Sequence, residues 1–132
     1  MPKLLLILIA VLVIFADQIS KTLVVIFNLP YILNSGAAFG IFDGNIFFLV
    51  LVSICLISFL LFKFKFSNFQ DIIGLALILG GGVSNLFNRI HSGYVLDFID
   101  FKIWPAFNLA DTAIVMGVLV ILSQFVFPRK VS

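Results

Sequence analysis

Four apolar runs, at residues 4–27, 45–62, 72–90 and 110–127, occupy most of this chain. Each is close to the ~20 residues that a helix needs to span the hydrocarbon core of a bilayer. Polar or turn-rich stretches at 28–44, 63–71 and 91–109 separate them. Of the 132 residues, 63% are hydrophobic and 11% charged, with a mean hydropathy of +1.29. A soluble domain is about half apolar and about a quarter charged. The expectation is an all-α membrane protein with four transmembrane helices, built as a single domain over 1–132. The formal charge of +2 is too small to suggest nucleic acid, and no basic cluster interleaves with aromatics.

The first run follows Lys3 and resembles a signal peptide, but no small-x-small cleavage site precedes Asp17 and apolar character resumes at Leu23. It reads as an uncleaved first helix. Lys3, Lys63 with Lys65, and Arg129 with Lys130 all fall at one end of the bundle, while the opposite loops carry only Lys102 and His91. Basic residues in short loops stay on the cytoplasmic side. Both termini are therefore expected to be cytoplasmic, with Asp97 outside and Asp111 opening the fourth helix at the outer surface. Cys55 is the only cysteine, which rules out an intramolecular disulfide; inside an apolar run it reads as a small buried hydrophobe. His91, equally alone, reads as a helix-end or surface residue.

Carboxylates beside hydrocarbon are costly without a partner or a purpose. Asp17 and Lys21 are four residues apart and share a helix face. At about 1.5 Å per residue they lie ~20 and ~26 Å along the first run, the depths that Asn85 and Arg89 reach along the third. With Asp111, five polar groups from three helices gather in the outer third of the membrane, and Asp97 arrives from the loop above. Interfacial anchoring accounts for Lys21 or Arg89 taken alone, and a structural ion pair accounts for Asp17 with Lys21. Gly80, Gly81, Gly82 and Ser84 would let the third helix pack closely on a neighbour. In the first outer loop, Asn34 to Gly40 can be a tight turn, with Asp43, Gly44 and Asn45 as turn and cap. Asp71 reads as a cap for the third helix. Asp97 and Asp111 flank the Trp104–Leu109 stretch, and two acids at one end of a bundle are the material for acid–base chemistry at a membrane surface. Trp104 and Pro105 suit an interfacial anchor. Asp100, in an extended segment, would point away from Asp97.

Taken together, the chain resembles the lipoprotein signal peptidases, or signal peptidase II. The matching blocks are Asp17-Gln18-Ile19-Ser20-Lys21, Asn34-Ser35-Gly36-Ala37-Ala38-Phe39, Gly81-Gly82-Val83-Ser84-Asn85-Leu86-Phe87-Asn88-Arg89, Gly93-Tyr94-Val95-Leu96-Asp97-Phe98 and Phe107-Asn108-Leu109-Ala110-Asp111-Thr112-Ala113. The resemblance implies four helices with both ends cytoplasmic. It also implies outer loops, with room for a small β element and a short helix, over an active site at the outer face. By resemblance, Asp97 and Asp111 are the catalytic dyad of an aspartic endopeptidase, and no metal or cofactor is involved. Asn34, Gly36, Asn85, Arg89, Asn108 and Ala110 bind substrate or orient the acids, and Asp17 with Lys21 supports them. The implied substrate is a diacylglyceryl-modified bacterial prolipoprotein, cleaved just before the lipidated cysteine by a monomer in the cytoplasmic (inner) membrane, among lipid. Ser84 and Asn88 depart from the family pattern, where glycine and aspartate are usual; losing that carboxylate removes a partner from Arg89 or Lys21. The alternatives are a small transporter or a non-catalytic membrane scaffold, although transporter sites tend to lie at the midplane of repeated halves and no repeat is visible here.

Overall fold

The computed structural model describes residues 2–36, 44–63 and 68–126. They form four helices and a two-stranded ribbon: α1 (Pro2–Ile26), β1 (Ile32–Asn34), α2 (Ile46–Lys63), α3 (Phe69–Ser92), β2 (Val95–Asp97) and α4 (Leu109–Val126). Ala37, Ala38, Phe39, Gly40, Asp43, Lys65, Phe127, Arg129 and Lys130 lie outside the described residues. No short helix stands in the loops among the described residues.

Helix is what an apolar segment adopts when its backbone cannot turn to water, because each helix satisfies its own N–H and C=O groups. By length and composition, α1 over Lys3–Ile26 and α3 suffice to cross a membrane; α2 and α4, with 18 residues each, are shorter. The outer surface is apolar: Leu12, Phe15, Phe47, Phe59, Phe62 and Leu119 are exposed. The charged and amide side chains Asp17, Lys21, Asn85, Asp97 and Asn108 are buried instead. Such an inside-out pattern suits a protein whose solvent is lipid.

α3 is the central helix and touches each of the other three. It starts at Phe69, ahead of the apolar run, because Asn68 and Asp71 form a reciprocal capping box. It ends at Gly93, whose φ of +79° is a left-handed conformation suited to glycine. Leu75, Ala76 and Leu79 of α3 pack with Leu6 of α1 to form the apolar core.

In lipid, helix association rests on close packing more than on hydrophobic transfer. A Cβ on Gly80 would meet Ala10 O and Val13 Cβ of α1, both at 2.8 Å. One on Gly81 would collide with Ala110 O of α4. Gly82 faces only Ile57, at ordinary contact distance. Two adjacent glycines thus seat α3 against α1 and α4, which brings the polar positions of three helices together.

Cys55 corrects the reading of a buried hydrophobe: it is exposed. α2 packs mainly on α3 and presents the rest of its surface outward, so burial within an apolar run does not follow from the run alone.

Candidate active site

The two acids lie on the elements at either end of one loop, Asp97 on β2 and Asp111 in α4. β1 and β2 pair antiparallel with Ile32↔Asp97, Leu33↔Leu96 and Asn34↔Val95 in register. Alternation places Ile32, Asn34, Val95 and Asp97 on one face of the ribbon. Beyond β2, Ile99 and Phe107 exchange backbone bonds of 2.9 and 3.0 Å and draw the chain back to the head of α4. Asn108 caps that helix. Its Oδ1 accepts the Asp111 N–H at 2.9 Å and its own N–H donates to Asp111 Oδ2 at 3.1 Å. Asp111 therefore sits in the first turn of α4 as the reciprocal partner of the cap.

Each carboxylate oxygen has a nitrogen donor. Asp97 Oδ1 accepts from Asn108 Nδ2 at 2.7 Å and Oδ2 from Asn34 Nδ2 at 3.0 Å. Asp111 Oδ1 accepts from Asn85 Nδ2 at 2.8 Å, and Oδ2 takes the cap bond. All four donors are neutral amides, so they orient the acids without forming an ion pair. Burial pushes the Asp97 carboxyl above the ordinary carboxylate range; the Asn34 bond opposes it, the Asp111 charge adds to it, and the Asn108 bond and Lys21 charge hold it back.

A support cluster lies beneath. Asp17, fully buried, accepts from Lys21 Nζ at 2.6 Å and Ser84 Oγ at 2.7 Å on Oδ2, and from the Ala110 N–H at 2.9 Å on Oδ1. Lys21 also donates to Asn85 Oδ1 at 3.2 Å and Asn88 Oδ1 at 2.7 Å. Gln18 Nε2 donates to Ser84 Oγ at 2.7 Å and Asn88 Oδ1 at 3.1 Å, and Gln18 Oε1 accepts from Asn88 Nδ2 at 3.1 Å. A buried carboxylate stripped of its cation costs about 3–5 kcal/mol, so the Asp17–Lys21 pair within α1 is held together, and its bonds to Ser84, Asn85 and Asn88 tie α1 to α3.

The two acids line one groove of about 900 Å³. Asn34, Asn85 and Arg89 complete its polar end. Ile114, Val115 and Met116 extend it along α4, and Phe101, Trp104 and Phe107 form a further wall. Val115 and Met116 are also exposed, which leaves that side of the groove open. Arg89 donates from Nη2 to Gly36 O at 3.2 Å, and its buried Nε has no partner among the described residues.

The structure therefore brings together Asp17, Lys21, Asn34, Asn85, Asn108, Ala110 and the two acids, with Arg89 lining the groove and Gly36 bonded to it. Asp100 stands apart: its carboxylate takes the Lys102 ammonium at 2.5 Å and the Lys102 N–H at 2.9 Å, which holds it below the usual carboxylate range. His91 stacks on Phe87. The departure at position 88 faces Lys21, not Arg89. Gln18 had no assigned task from sequence, and Ser84, expected only as a small packing residue, also bonds Asp17 and Gln18 through its hydroxyl; a glutamine inside an apolar helix, which needs a partner there, was the available signal. Among the described residues, no three side chains of metal-ligating type come together.

The family model for signal peptidase (SPase) II matches residues 9–127. A lipoprotein signal peptidase of Halothermothrix orenii is 36% identical over 140 residues, covering 94% of this chain and 97% of that protein. One from Caldicellulosiruptor bescii is 45% identical over 108 residues, covering 81% and 72%. A bacterial membrane enzyme solved by the in meso method at 2.3 Å superposes with a TM-score of 0.83 at 27% identity, covering 96% of this chain and 93% of that one.

Proposed function

The chain belongs to the signal peptidase II family, whose members are lipoprotein signal peptidases, and from that premise we propose that Asp97 and Asp111 are its catalytic pair. It is a membrane-bound aspartic peptidase that removes signal peptides from lipoprotein precursors. The observation that carries the dyad is the shared groove: two acids from separate elements line one cavity, each oxygen held by a neutral N–H.

Two neighbouring carboxyls do not both ionise cheaply, so the pair shares a proton. The ionised member takes a proton from a water molecule, which attacks the scissile carbonyl. The protonated member gives its proton to the developing oxyanion, the acid that took the water's proton passes that one to the leaving amine, and the pair regains its shared proton as the carbonyl reforms. Neutral amides suit this cycle, because a cation on either acid would fix it as a carboxylate and impede the exchange of roles. Arg89, with a donor to spare, and Asn34 hold the substrate backbone. Asp17 and Lys21 maintain the seating of α1, α3 and α4.

The substrate is a prolipoprotein whose cysteine already carries diacylglycerol, and cleavage falls just before that cysteine. The shape of the groove supports this reading. Its polar end has the acids and its apolar wall runs along α4 beside exposed Val115 and Met116, so acyl chains can stay in hydrocarbon while the peptide meets the acids. The working unit is one domain over 1–132, a monomer in the bacterial cytoplasmic membrane with four spans, cytoplasmic termini and the site on the outer face. No metal or organic cofactor takes part.

The test is a gel-shift assay with purified protein and a diacylglyceryl-modified prolipoprotein, the cleavage site being mapped by mass spectrometry. Cleavage before the modified cysteine, and none of the unmodified precursor, is expected. Cleavage elsewhere, or equal cleavage of both precursors, would overturn the substrate assignment.

A further inference from the structure

Three side-chain carboxamides donate to the acids, and each is fixed through its own oxygen. Asn34 Oδ1 is held by the Gly36 N–H at 2.9 Å, and Asn108 Oδ1 by the Asp111 N–H at 2.9 Å. Backbone donors set those two. Asn85 is different. Its oxygen accepts from Lys21 Nζ at 3.2 Å and from Asn108 Nδ2 at 3.3 Å, and that Asn108 nitrogen makes its shorter bond, 2.7 Å, to Asp97. The lysine is therefore the main determinant of which way the Asn85 amide faces.

An ammonium group has donors only. The end of Asn85 that meets Lys21 must be oxygen, so the end that meets Asp111 must be N–H. Lys21 has three N–H bonds to give, and three acceptors receive them: Asp17 Oδ2, Asn85 Oδ1 and Asn88 Oδ1. It is buried and is not among the residues lining the substrate groove. Nothing is left with which to contact substrate.

We infer that Lys21 is a positioning residue of the peptidase: by fixing the Asn85 carboxamide it keeps an N–H on Asp111 Oδ1, and so stabilises the ionised form of Asp111. Without Lys21, the carboxamide can turn over and present its oxygen, an arrangement that favours a proton on Asp111 Oδ1 and withdraws the base. The inference rests on the dyad reading above. The charged groups around this bond are Asp17 and Lys21 from α1, Arg89 from α3, Asp97 from β2 and Asp111 itself from α4.

The test is a double-mutant cycle on the full-length protein with the lipidated prolipoprotein. Lys21→Met is combined with Asp17→Asn, so that no buried charge is left alone, and the pair is made with and without Asn85→Ala. In the native background, kcat should fall about 100-fold, the scale of one lost oriented donor. KM should stay within about twofold, since no substrate contact is removed. The acid limb of the kcat profile should move to higher pH, because the ionised pair has lost a donor. In the Asn85→Ala background, the same pair should cost at least about tenfold less in kcat than in the native background, the remainder being the seating of the helices. Additive losses in the two backgrounds, a rise in KM at constant kcat, or an unmoved pH profile would overturn the inference. A second readout needs no variant at Lys21. In the wild-type protein labelled with ¹⁵N-asparagine, the Asn85 side-chain NH₂ signal should shift as the dyad titrates, and that shift should vanish in Asp111→Asn; an unresponsive signal would also overturn it. If Asp97→Asn and Asp111→Asn abolish cleavage while the cycle is additive, the role of Lys21 fails and the dyad stands. If either aspartate variant stays active, the dyad itself fails.

Discussion

Replacing Gly81 by alanine adds one methyl group at the point where α3 meets α4. The new Cβ would lie 2.8 Å from Ile114 Cγ1 and would collide with the backbone oxygen of Ala110. Carbon pairs rest at about 3.5–4.0 Å, so the deficit against Ile114 is about 1 Å. Ile114 can rotate, but Ala110 O cannot, because it belongs to the helix backbone. The two helices must part. Asn85 lies one turn beyond Gly81 on α3, and Asp111 follows Ala110 directly, so the strain falls on the 2.8 Å Asn85–Asp111 bond. The Ala110 N–H bond to Asp17 is disturbed as well. A displacement of about 1 Å in a reacting constellation costs about 100-fold in rate, or about 2.7 kcal/mol. Overpacking a well-fitted contact costs about 1–3 kcal/mol in stability, which leaves the protein folded but with a lower melting temperature. Gly82→Ala is the matched control: its Cβ would meet only Ile57, at 3.8 Å. The assay is kcat and KM for a lipidated prolipoprotein in detergent, with thermal melts of both variants. Gly81→Ala retaining activity within about twofold of Gly82→Ala would refute the view that this contact sets the geometry of the acids.

Two further outcomes follow from the bonds around the site. Asn34→Ala removes an N–H that opposes the upward pressure of burial on Asp97, so the Asp97 carboxyl should rise further. Activity requires one ionised acid, so as pH falls the loss of kcat/KM should begin at a higher pH than in the wild type; an unmoved or downward-shifted acid limb would contradict the cause assigned to Asp97. Asn88→Asp restores a carboxylate opposite Lys21 while giving up the N–H that Asn88 donates to Gln18. Turnover should stay within about tenfold, measured with the same substrate, and a larger change in either direction would bring position 88 into the chemistry.

Much of this architecture could be read from sequence because lipid is a strict solvent. A run of apolar residues near bilayer length has few options, and an acid inside such a run needs a partner, so Asp17 with Lys21 was readable from spacing alone. Counting depth along helices also brought Asn85 and Arg89 to the correct end. It could not say where long side chains finish. Lys21 and Arg89 share a level along their helices, yet Lys21 reaches Asn85 and Asn88, while Arg89 turns to the Gly36 carbonyl. Ala110 illustrates a deeper limit. Its contribution is a backbone N–H given to Asp17 and a carbonyl packed on Gly81, neither of which depends on its side-chain chemistry. The start of α3 was hidden for a different reason. Asn68, Gln70 and Asp71 look like loop on a hydropathy scale, but they build and cap the first turn. Cys55 was misread because an apolar sequence does not distinguish the face against protein from the face against lipid.

The most direct measurement is cleavage of a diacylglyceryl-prolipoprotein by Asp97→Asn and Asp111→Asn, each purified in detergent and checked by thermal melting. Asparagine keeps the shape of the side chain but can neither take up nor release the shared proton. Each variant should remain folded, bind the precursor and lose turnover by about a thousandfold or more, within the range of acid–base contributions. A folded variant of either kind that cleaves at the wild-type rate would contradict the dyad.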